Sequence, residues 1–175
     1  MTRTFTAYAT LFLSVSFIMG CGGQRLPDGM PRLYPASIEI TQEGTPLEGA
    51  TVTLVSDDPE LARWGPTGVT DASGIAALQT DGAYKGVPLG TYKVVVSKRA
   101  MEPHPNPELA GADRGTPEEA QYDRLDKARK VLSYVESQFG SMEDTPLTIE
   151  VVAGQKTYSV DAGKKVQTAV ALANQ

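Results

Sequence analysis

The chain has 175 residues, with 16 Lys and Arg against 21 Asp and Glu, and it holds one His, one Cys and one Trp. The net charge of −5 opposes electrostatic attachment to nucleic acid or to anionic lipid, both of which reward basic surfaces. A lone cysteine cannot close an internal disulfide, and a lone histidine leaves little for acid–base or histidine-rich metal chemistry.

Residues 1–20 carry an export pattern: Arg3 at the positive end, an apolar run through Tyr8, Leu11, Phe12, Leu13, Val15, Phe17 and Ile18, and a small residue before the cut. Thr6, Thr10, Ser14 and Ser16 interrupt that run, which falls short of the roughly 20 predominantly apolar residues of a membrane span. The segment Ile18, Met19, Gly20, Cys21 resembles the lipobox of bacterial lipoproteins. The resemblance implies removal of a signal peptide over 1–20 and acylation of Cys21, with palmitate-type chains, as the mature N-terminus. More than one chain is required for stable membrane attachment, at about 0.8 kcal/mol per buried methylene. In Gram-negative lipoproteins an Asp after the cysteine marks inner-membrane retention; Gly22 at that place implies the outer membrane, on its periplasmic side or at the surface.

Residues 21–35 are rich in Gly and Pro and have no period, which predicts a flexible tether between Cys21 and a single domain over 36–175. From Ser37 the pattern has period two, with Ile38 and Ile40 on one face, and it resumes at Ala50 to Ser56 with Val52 and Leu54. The intervening QEGTPLEG predicts that these two strands form a hairpin. A polar loop over 57–66 carries Trp64 and leads to a strand over 67–70, a turn from Asp71 to Gly74, and a β-rich run over 75–80. Tyr92, Val94 and Val96 share one face of a strand over 92–98.

An insertion spans about 99–145. Its first part, around Pro103, His104 and Pro105, reads as irregular. Thr116 as N-cap, Pro117, Glu119 and the terminator Gly140 predict one helix over about 117–139, with Leu125, Ala128, Leu132, Val135 and Phe139 as a stripe facing the sheet. The chain then returns to β over 147–152, with 156–161 expected as its hairpin partner, and 164–175 fits either a short helix or an edge strand.

The segments GTPLEGATVTLV (44–55), TGVTDASGIAALQT (67–80) and GVPLGTYKVVVSK (86–98) resemble the carboxypeptidase regulatory-like domain of the transthyretin-like, or prealbumin-like, superfamily. PLTIEVVAGQKTYSVD (146–161) is similar to the closing hairpin of small planctomycete-type lipoproteins with this domain. The resemblance implies a mainly β fold, a seven-stranded Greek-key sandwich with one inserted helix. Its motifs are turn solutions, and they carry fold rather than chemistry.

Candidate sites are few. Asp57, Asp58 and Glu60 form an acidic cluster without EF-hand spacing, so neither a calcium site nor any other cofactor is expected there. His104 reads as a solvated loop residue, and without a positioned nucleophile no catalytic residues are expected. Trp64 with Arg63 and Tyr84 is a candidate aromatic platform for a glycan or an envelope protein. The leading expectation is a non-enzymatic, lipid-anchored envelope module, with a carbohydrate-binding accessory role for Trp64 and Tyr84 as the alternative.

Overall fold

The period-two segments are strands, and the residues that alternate inward meet in one core. A computed structural model describes residues 25–170 and is mainly β; Cys21, the expected signal peptide and residues 171–175 lie outside the described residues. In chain order the strands are β1 (Leu33–Tyr34), β2 (Ser37–Gln42), β3 (Thr45–Pro46), β4 (Thr51–Val55), β5 (Pro66–Val69), β6 (Ile75–Ala77), β7 (Gln79–Thr80) and β8 (Tyr84–Lys85). There follow β9 (Val87–Pro88), β10 (Gly90–Ser97), β11 (Arg99–Met101), β12 (Val131–Ser133), β13 (Thr148–Val151), β14 (Thr157–Asp161) and β15 (Thr168–Val170). Two helices, α1 (Pro59–Ala62) and α2 (Pro117–Ala128), join them. No helix among the described residues is long and apolar enough to cross a membrane.

The largest sheet runs β13–β10–β4–β5–β7–β8, and a second runs β14–β2–β3 with β6 also paired to β2. Val52 and Leu54 of β4, Tyr92, Val94 and Val96 of β10, and Ile149 and Val151 of β13 are buried against Ile38 and Ile40 of β2, Ala76 of β6 and Tyr158 of β14. The two sheets approach closely at Gly68, where a Cβ would stand 2.8 Å from the Ala77 carbonyl oxygen. A third sheet, β11–β12–β15, is built from the insertion and the last described strand.

Both expected hairpins are instead crossovers between sheets. Strand β2 turns back at Glu43 and Gly44, whose φ angles of 49° and 73° suit a two-residue hairpin turn, and the strand that returns from this turn is the two-residue β3 rather than β4. The next strand, β4, lies in the other sheet between β10 and β5. Pro46 has no N–H to extend the β2 ladder, and Gly49 (φ 67°) redirects the chain. Likewise β13 pairs with β10, whereas β14 crosses over to run parallel to β2. Tyr158 holds that crossover closed, its hydroxyl accepting from the Val152 N–H and donating to the Gln155 carbonyl.

The long helix expected over 117–139 ends at Ala128. Its start is as expected: the Thr116 hydroxyl accepts from the Glu119 N–H at 3.3 Å, while the Glu119 carboxylate accepts from the Gly115 N–H. Arg129 is extended, and β12 follows, paired on both sides by β11 and β15. Pairing to two strands outcompetes three more helical turns in a stretch, VLSYV, rich in β-formers. Leu132, Val135 and Phe139 are buried, but from a strand, a bend and a 3-10 turn (Ser137–Gly140); no residue of α2 is buried. The short α1 within the polar loop is an addition to the expected elements.

The tether also ends sooner than residue 35. Met30 is buried, and Leu33 and Tyr34 pair with Pro88 and Val87. Of the two options for the C-terminal stretch, residues 168–170 take the strand.

Candidate functional site

The acidic loop begins with Ser56, whose hydroxyl donates to the Thr91 carbonyl and accepts from the Asp58 N–H, fixing its exit from β4. Asp58 caps α1, its carboxylate accepting from the Glu60 N–H at 2.9 Å. Leu61 on α1 lies over Gly90, where a Cβ would come within 2.5 Å of its methyl group. Beneath this cap Tyr92 is buried and donates to the Pro88 carbonyl at 3.0 Å. Burial, and then the nearby Asp58 carboxylate, push the Tyr92 hydroxyl up to about 12. Asp58 is therefore a structural cap, and among the described residues no three His, Cys, Asp or Glu side chains converge to hold a metal ion.

Trp64 follows α1 directly. Its ring is half-buried, and the Arg63 guanidinium sits 5.4 Å from its centroid. Arg63 also faces the N-terminal segment, 3.2 Å from where a Cβ on Gly29 would lie. The indole N–H is buried without a hydrogen-bond partner. Tyr84, on the edge strand β8, lies in the cross-strand row that continues through Thr80 to Pro66. No ring contact joins it to Trp64 among the described residues.

His104 is docked rather than solvated. Its ring stacks on Tyr122 of α2 at 4.0 Å, its Nδ1 accepts from the Asn106 N–H at 3.0 Å, and Nε2 contacts the Tyr122 carbonyl at 3.3 Å. These contacts tie the irregular 102–106 segment to the helix. They engage both ring nitrogens, and among the described residues no serine, threonine or carboxylate side chain is hydrogen-bonded to the ring.

The cavity of interest lies elsewhere, between the third sheet and the 3-10 turn. It is about 420 Å³ in volume, within the range of small-molecule sites, and is floored by Val96 and Val135. Arg99, Ser133, Glu136, Ser137, Ser141 and Thr168 supply its polar walls. Sequence reading missed these residues because Ser133 and Ser137, four apart, pass for the polar face of the helix expected there.

No family model, curated protein or solved structure matches this chain.

Proposed function

We propose that this protein is a non-enzymatic, lipid-anchored module of the bacterial cell envelope, tethered through acylated Cys21 and built on a prealbumin-like β-sandwich of the carboxypeptidase regulatory-like type. The observation that carries the reading is the position of the only cysteine, directly after Ile18, Met19 and Gly20 at the end of an export pattern. Two further features support it. Consecutive strands cross between the two main sheets, as Greek-key sandwiches require. The one histidine is engaged in packing on Tyr122, as suits a binding module without histidine acid–base chemistry.

Anchoring through Cys21 leaves short reach before the chain docks, since Met30 is already buried. The module is thereby held close to its bilayer, with other envelope components rather than nucleic acid as its partners. Cys21→Ser tests this. The wild-type chain is expected in the membrane fraction and the variant in the soluble fraction; a variant that still sediments with membranes contradicts the reading.

A further inference from the structure

The third sheet places three polar side chains from different strands in one row. Arg99 of β11 is opposite Ser133 of β12, and Ser133 is opposite Thr168 of β15, so the three share a face at the strand spacing of about 5 Å. All three line the cavity over Val96 and Val135. Ser137, Ser141 and Glu136, on and beside the 3-10 turn, line it as well.

The hydrogen-bonding capacity of this cavity is largely unspent. Among the described residues the Arg99 guanidinium has no ion-pair or hydrogen-bond partner, although it is the cavity's only cation. The hydroxyls of Ser97, Ser137 and Thr168 make no hydrogen bonds to the described residues either, whereas Ser133 donates to the Val135 carbonyl and Ser141 to Glu143. Glu136 is held by one oxygen only, its Oε2 accepting from the Lys164 N–H at 3.3 Å, so Oε1 is left to accept from a ligand.

We propose that this cavity binds a sugar acid. A guanidinium recognises a carboxylate through paired charge-assisted hydrogen bonds. A row of hydroxyls and one carboxylate oxygen suit the donors and acceptors of ring hydroxyls, while Val96 and Val135 take the apolar face of the ring. A simple anion would leave the hydroxyls and Glu136 unused, and a neutral sugar would leave Arg99 unpaired. The site is distinct from Trp64 and Tyr84, and it stands whether or not Cys21 carries lipid.

The test is calorimetric titration of the full-length protein in detergent with glucuronate, glucose and acetate. Glucuronate is expected to bind at least tenfold more tightly than either control. Arg99→Gln, at an exposed position where folding is undisturbed, lowers glucuronate affinity at least tenfold and leaves it equal to glucose. Thr168→Val, a near-isosteric change, lowers it by a smaller factor. Absence of glucuronate binding, binding no tighter than glucose or acetate, or full retention in Arg99→Gln overturns the proposal. Because Cys21→Ser fractionation reads anchoring alone, failure here and failure of the anchoring proposal are distinguishable.

Discussion

Gly68 on β5 and Ala77 on β6 bring the two main sheets together through bare backbone: a Cβ at Gly68 would stand 2.8 Å from the Ala77 carbonyl oxygen and 3.2 Å from the Ala76 methyl group. The backbone at Gly68 is not in the left-handed region, so its requirement for glycine is steric. Gly68→Val must therefore push β5 off β6. Overpacking of this kind costs about 1 to 3 kcal/mol. Urea unfolding followed by circular dichroism is expected to show that loss with an unchanged slope; a variant as stable as wild type contradicts the close approach.

A similar approach locks the N-terminal segment. Gly86 has a φ of 106°, and a Cβ there would lie 2.6 Å from the Tyr34 carbonyl oxygen. Gly86→Ala is expected to release β1 from β9 at a cost of about 1 kcal/mol or more. Hydrogen exchange reads this directly, as faster exchange at Leu33 and Tyr34 with protection in β10 preserved. Equal exchange at Leu33 and Tyr34 in both proteins contradicts it.

Tyr92 makes the fold sensitive to alkali. Its hydroxyl ionises at about 12 when folded, held up by burial and by Asp58, against about 10 in an unfolded chain. An acid whose ionisation is suppressed by folding contributes full stability below pH 10, and that contribution is lost as pH rises from about 10 towards 12. Tyr92→Phe loses the hydrogen bond to Pro88, worth about 1 kcal/mol, but its stability falls less steeply above pH 10. Parallel slopes for the two proteins between pH 9 and 11 contradict the assignment.

The acid limb rests on carboxylates that accept several hydrogen bonds. For Asp161, desolvation raises the pKa, but hydrogen bonds from the Gly44 amide, the Thr41 hydroxyl and the Gly163 and Glu43 amides outweigh it and hold the group below the usual carboxylate range. Asp71 is lowered chiefly by the Ser73 hydroxyl and then by the Ile75 amide. Groups depressed by folding stabilise above their unfolded pKa, near 4, and that stability is lost as pH falls through the folded value. Asp161→Asn is expected to flatten the fall in urea midpoint below about pH 4; an unchanged acid slope contradicts it.

How much of this was legible depended on the range of the interaction. Strand positions were visible because Ile38, Ile40, Val52, Leu54, Tyr92, Val94 and Val96 alternate locally, and all seven are buried. The Asp71 turn was visible too, as the carboxylate bonds the Ser73 and Ile75 amides next to it. Strand partners were not visible: whether β4 follows β2 in one sheet or crosses to β10 is decided some 40 residues away in sequence. The helix stripe failed for a related reason, since residues four apart also satisfy a period of two, and pairing of β12 to β11 and β15 chose the strand. The Arg99 cavity was invisible for the same cause, because its row exists only once those three strands are adjacent.

The anchoring proposal is tested most directly by the mass of the mature N-terminal tryptic peptide. Cleavage before Cys21 predicts a peptide from Cys21 to Arg25 whose mass exceeds that of its amino acids by a diacylglyceryl group, with or without a third acyl chain. An unmodified Cys21 to Arg25 peptide, or one that begins at any other residue, contradicts it.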